Sequence, residues 1–149
     1  MTNLEILIDF WKDVYDQSED RFSADILRLL FILEYAPNGM WTYFLSVYFM
    51  KNKDAENMLD NDKLYAFLKK TIAFVWTYAI TNPGVNALRT PIYKEMRNIV
   101  EGGLVEFKDA KFDEGKTINI IRSLPVSEKT IFNAKIWMSL IIQLPIVII

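Results

Sequence analysis

Apolar residues along this chain recur at spacings of three and four for most of its length, the signature of helices that bury one face. Leu4, Leu7, Trp11, Val14 and Tyr15 share such a face in the first segment. The stretch "SEDRFS" interrupts the pattern. Phe22, Ile26, Leu29, Leu30 and Leu33 then mark a second helix, with Ser23 at the position of an N-cap. It should stop at "YAPNG", because Pro37 disfavours helix in the residue before it and Asn38-Gly39 is a turn pair.

"MWTYFLSVYF", from Met40 to Phe49, is apolar on every side and fits a helix buried among others. The charged connector "KNKDAENMLDNDK" follows, with room for a short helix of its own. Asp60 or Asn61 then caps a helix whose inward positions are Leu64, Phe67, Leu68, Ile72, Val75 and Ala79. "TNPG" closes it. Thr90 and Pro91 read as the N-cap and first residue of a further helix, with Met96, Ile99 and Val100 inward and Gly102-Gly103 as its stop.

Beyond that point "LVEFKDAKFDEG" is the stretch that admits a short strand or hairpin, near residues 104–112. "KTINIIRSLP" reads as a short helix, and Ser127 caps a last one carrying Ile131, Phe132, Ile136 and Leu140. The expectation is an all-α, irregular bundle of about six or seven helices forming a single domain over residues 1–149.

The closing "IIQLPIVII" changes the picture. A run this apolar is unusual at a chain end, which is normally exposed and frayed. It is too short for a membrane helix, and Pro145 interrupts it. The longest apolar run, "TIAFVWTYAI", also reaches only about half the length of a span. The first residues lack a basic region and carry Glu5, Asp9, Lys12 and Asp13, unlike a secretory signal. These features point to a cytoplasmic protein with no membrane partner and leave the tail as an internal core segment or the edge of a longer chain. An exposed tail would instead pack on a second copy of the chain.

Composition then narrows the chemistry. Seventeen basic and nineteen acidic residues give a net charge of −2, so no bulk field favours nucleic acid. The balance is uneven, however. Residues 1–85 carry eight basic and twelve acidic side chains, and the remainder carries nine and seven. The sequence holds no cysteine and no histidine. Thiol nucleophiles, Cys-ligated zinc and every constellation built on imidazole are thereby excluded. Catalysis would have to run on carboxylates, Lys, Tyr or a carboxylate-held Mg²⁺, and the reading is of a chain without catalytic residues or cofactor of its own.

Three groups of residues still merit a chemical reading. In "ALRTPIYKEMR", Tyr93 and Arg97 are i,i+4 on a helix, Lys94 lies beside them and Arg89 sits just before the helix N-terminus, a set of two guanidiniums, an ammonium and a phenol. That set suits phosphate oxygens, and hence DNA, although Glu95 and Glu101 dilute it and a solvated helix face is the plainer account. In "VEFK", Glu106 and Lys108 form the Glu-x-Lys of metal-dependent nucleases. Such enzymes also need an Asp on an adjacent strand, and no Asp lies between Asp62 and Asp109. The aromatic run Trp41, Tyr43, Phe44, Tyr48 and Phe49, with Phe74, Trp76 and Tyr78, is either a base-stacking pocket or core.

"LEYAPNGMWTYFLSVYF", "NPGVNALRTPIYKEMRNIVEG" and "IIRSLPVSEKTIFNAKIW" together resemble the helical portion of GmrSD-type restriction proteins, bacterial anti-phage enzymes that cut modified DNA. The resemblance runs from about Leu33 to Trp137. That family joins a ParB-like domain, carrying an Asp-Gly-Gln-Gln-Arg motif tied to nucleotide hydrolysis, to a His-Asn-His nuclease. Neither motif occurs in this chain, so the resemblance transfers no catalytic residue. It implies a fragment of a larger multidomain protein, its tail packing on a neighbouring domain, and a connecting helical module that positions catalytic domains and contacts DNA. A small Mg²⁺-dependent nuclease using Glu106 and Lys108, and a stand-alone helical interaction domain, are the alternatives.

Overall fold

The computed structural model describes residues 1–36, 38–81 and 85–107, and within them the chain is helical, with five helices and no strand. They are α1 (Asn3–Tyr15), α2 (Ala24–Glu34), α3 (Met40–Asn52), α4 (Asn61–Thr81) and α5 (Val85–Val100). The expected helices after residue 107, Lys108, the far half of the 104–112 stretch and the apolar tail lie outside the described residues.

The starts of α1, α2 and α4 each have a local cause. Thr2 and Glu5 form a reciprocal capping box on α1, the Thr2 backbone N–H donating to Glu5 Oε2 at 2.6 Å. That bond, and then the Thr2 hydroxyl, hold the Glu5 carboxyl below its ordinary pKa. Ser23 Oγ accepts the N–H of Ile26 at the head of α2. Asp60 Oδ1 accepts the N–H of Lys63 at 2.9 Å at the head of α4. The connector before α4 contains no helix. Instead Asp54 Oδ1 accepts the N–H groups of Glu56 and Met58, folding the segment into a tight loop that satisfies its backbone locally.

α3 touches α1, α4 and α5, and six of its residues are buried, though Tyr43 is exposed. α2 packs on α4 and α3 on α5. Phe10 of α1 stacks on Phe49 of α3 with centroids 4.0 Å apart, and Trp11 meets Trp41 edge-on. Trp11 Nε1 also donates to Ser46 Oγ at 2.9 Å. On the other side of α3, Phe67 of α4 stacks against Tyr48 and tilts against Phe44. Arg21 closes one end: it donates to Asp13 Oδ2 at 2.6 Å and to the carbonyl of Asn57 at 2.9 Å. Its guanidinium lies 5.6 Å from the Phe10 ring centroid.

Two helices depart from the sequence pattern. In α1 the buried residues are Phe10 and Val14, whereas Leu4 and Tyr15 are exposed and Leu7 and Trp11 half-buried. The segment is apolar at Leu4, Ile6, Leu7, Ile8, Phe10 and Trp11, so several faces compete, and the aromatic stack on Phe49 selects the one that contains Phe10. α5 does not begin at Pro91. It runs unbroken from Val85, with Pro91 inside it. Proline costs such a helix one backbone bond and a steric clash, which the burial of Leu88, Ile92 and Ile99 against the rest of the bundle offsets.

After α5, Gly102 adopts φ 86°, and its N–H donates to the carbonyl of Ile99 while that of Gly103 donates to Asn98. This is the glycine-terminated helix end that the sequence indicated. Residues 104–107 then alternate exposed, buried, exposed, buried, a strand-like pattern with no strand beside it among the described residues. Side chains supply what a neighbouring strand would. Glu95 accepts the N–H groups of Glu106 and Phe107, Lys70 Nζ donates to the carbonyl of Val105, and the Asn98 amide donates to that of Leu104. Over the described half of the expected hairpin, residues 104–107 form an irregular arm strapped to α4 and α5. Its apolar alternation faces helices.

Candidate functional site

The expected phosphate-binding residues fall on the solvent side of α5. Arg89, Tyr93, Lys94 and Arg97 are all exposed. Arg89, Tyr93 and Arg97 follow one another at one-turn intervals, each about 6 Å further along the axis, with Lys94 beside them. Leu88, Ile92, Glu95 and Ile99 occupy the opposite, buried arc. The helix is cleanly amphipathic, so packing of the apolar arc alone aims the cations outward. Among the described residues neither Arg89 nor Arg97 forms an ion pair. Glu95 does not dilute this face, contrary to its reading from sequence. It points inward, is 8% exposed, and is occupied by the backbone of the arm. Glu101 remains on the exposed side.

Glu106 is exposed, one residue before the buried Phe107, and its backbone N–H is held by Glu95 at 3.3 Å. Its partner in the Glu-x-Lys reading, Lys108, lies outside the described residues. No group of three or more carboxylates able to share a cation occurs among the described residues. The aromatic run is core: Trp41, Phe44, Tyr48, Phe49, Phe74, Trp76 and Tyr78 are buried, and Tyr43 alone of that run is exposed. It offers a nucleobase no open stacking face apart from the Tyr43 ring.

A second cationic feature was not visible in the sequence. A cleft of about 310 Å³ opens between α3, α4 and the turn after α5. Lys51, Lys63 and Lys70 stand around it, with Tyr48, Phe67 and Val105 among the residues beneath. One stripe of α4 at positions 63, 66, 67 and 70 and one stripe of α3 at 48, 51 and 52 form its walls, the i, i+3, i+4 and i+7 spacing of a single helix face. No carboxylate is among the residues lining it. Burial, and secondarily the Asp60 carboxylate, push the Tyr48 phenol above its ordinary pKa, so at neutral pH it is a hydroxyl donor. The lysines come from two helices with a connector between them, so no local motif marks them.

No helix among the described residues is long and apolar enough to cross a membrane. Comparison with protein-family models, with curated proteins and with solved structures gives no match to any of them.

Proposed function

We propose that this chain is a non-catalytic helical module that positions the catalytic domains of a larger nucleic-acid-processing protein, of the modification-dependent restriction type, and contacts DNA phosphates through the outward face of α5. The observation that carries the reading is the line Arg89, Tyr93 and Arg97, exposed on the side of α5 opposite its buried arc, with Lys94 exposed alongside. Guanidiniums fork onto phosphate oxygens, and a phenol hydroxyl adds a neutral donor between them. Such contacts position a protein on a duplex without reading its sequence. The absence of histidine and cysteine from the sequence supports a role in which chemistry is done elsewhere.

The test is fluorescence anisotropy of a labelled duplex with the whole chain, across a series of salt concentrations. Arg89→Glu with Arg97→Glu should weaken binding, and the slope of log K against log salt should fall by about 2, close to one for each phosphate no longer neutralised. Unchanged affinity in that double variant would overturn the assignment of the face. Cleavage of DNA or hydrolysis of a nucleoside triphosphate by the pure chain would overturn its non-catalytic character.

A further inference from the structure

The cleft above the Tyr48 and Phe67 rings has the makings of a ligand site distinct from the α5 face. Lys63 and Lys70 lie seven residues apart on α4, about 10 Å along its axis, and Lys51 faces them from the end of α3. Lys51 and Lys63 form no ion pair among the described residues. Lys70 uses one of its three protons on the carbonyl of Val105, at 2.9 Å, and keeps two for another acceptor. Three ammonium groups line this space and no carboxylate does; Asp60 acts on Tyr48 from outside the lining, and the lining itself is positive and favours an anion.

The size and floor of the cleft narrow the class of anion. About 310 Å³ is at the small end of ligand sites, too little for a nucleic-acid strand and enough for one phosphate ester with a compact body. A monoester near neutral pH carries between one and two negative charges, matching three lysines better than a single carboxylate does. Beneath the lysines the lining is apolar, from Phe67, Ile99, Leu104 and Val105, and Tyr48 is buried with its ring stacked on Phe67 at 4.0 Å. We infer that this cleft binds a small organic phosphate monoester of about mononucleotide size, its phosphate among Lys51, Lys63 and Lys70 and its organic body on the apolar floor.

The site is independent of the α5 face, and its test separates the two. Isothermal titration of the whole chain with adenosine 5′-monophosphate, inorganic phosphate and uncharged adenosine reads the head and body contributions. The monophosphate should bind saturably, tighter than phosphate and tighter than adenosine. Lys51→Ala with Lys63→Ala should weaken the monophosphate about tenfold or more while leaving duplex binding within about twofold, because neither lysine lies on α5. Those two side chains are exposed and cap no helix, so the folded state should persist, which circular dichroism checks. Equal binding of the monophosphate by parent and double variant would overturn the site. Equal affinity for inorganic phosphate and the monophosphate would overturn the role of the apolar floor.

Discussion

The carboxylate of Glu95 accepts the backbone N–H of Phe107 at 2.8 Å and that of Glu106 at 3.3 Å, so that one buried side chain on α5 holds the arm that crosses back over the bundle. Two peptide groups that would otherwise need a strand partner are satisfied by one acidic residue. Removing it should cost more than an ordinary surface change. Glu95→Ala leaves two donors unmatched and should lower stability by about 2–3 kcal/mol. Glu95→Gln keeps an acceptor oxygen and should cost about 1 kcal/mol. Urea unfolding followed by circular dichroism measures both, and equal losses would mean that the acceptor geometry is immaterial.

Phe107 sits at φ 49°, a left-handed conformation disfavoured by about 1–2 kcal/mol for a residue with a Cβ. Its ring offsets that strain by stacking on Phe74 with centroids 4.1 Å apart and by meeting Phe44 edge-on. Truncating the ring while keeping the strain is therefore the worst option. Phe107→Ala should cost about 3–5 kcal/mol, and Phe107→Gly about 1 kcal/mol less than the alanine, inverting the usual order of the two. Thermal melts of the pair decide it.

At Gly103 a Cβ would fall 2.0 Å from Asn98 Oδ1, an overlap that forces the amide off its position. Asn98 in turn donates to the carbonyl of Leu104, so the clash propagates into the arm. Gly103→Ala should destabilise by about 1–3 kcal/mol. Combined with Asn98→Ala, the loss should be smaller than the sum of the single losses by about 1 kcal/mol or more, the coupling expected of residues that touch. A strictly additive cycle would place the cost of the substitution elsewhere.

Tyr48 gives the stability a dependence on alkaline pH. Its phenol is raised in the folded state, so between the unfolded pKa, near 10, and the folded one, the native protein holds the proton that the unfolded chain releases. Stability is then fully present below the unfolded value and is lost as pH rises through the folded one. Tyr48→Phe should flatten the decline that sets in above the ordinary phenol pKa, near 10. Denaturant midpoints across that decline test the sign, and an equally steep decline in the variant would assign it to other groups.

Where one face was much more apolar than the other, the sequence was a sufficient guide: Ser23 caps α2, Ile26, Leu30 and Leu33 are buried, and the α4 positions 64, 67, 68, 72 and 75 all face the core. Where apolar residues crowd a whole segment, as from Leu4 to Trp11, the choice of face belonged to tertiary packing. Pro91 misled for a related reason, since a local breaker yields when enough surface is buried on both sides of it. Spacing put Tyr93 and Arg97 one turn apart on a helix but left Arg89 ahead of it; only the continuation of α5 back to Val85 brings Arg89 onto the same exposed side. What spacing could not convey is that Glu95 turns inward to bind the arm, or that Lys51, Lys63 and Lys70 meet across one cleft. Both depend on residues eleven or more positions apart coming together.

Arg21, in the connector between α1 and α2, is held by Asp13 of α1 and donates to the Asn57 carbonyl in the connector between α3 and α4, with its guanidinium near the Phe10 ring. A break in the bond to Asn57 frees both loops, so they are expected to open together. Amide protons of Gln17–Phe22 and of Asp54–Asp60 should exchange with solvent through a shared opening, with similar opening free energies despite their separation along the chain. Loosening either loop would release both, so this end of the bundle would fluctuate as a whole while α3 stays closed.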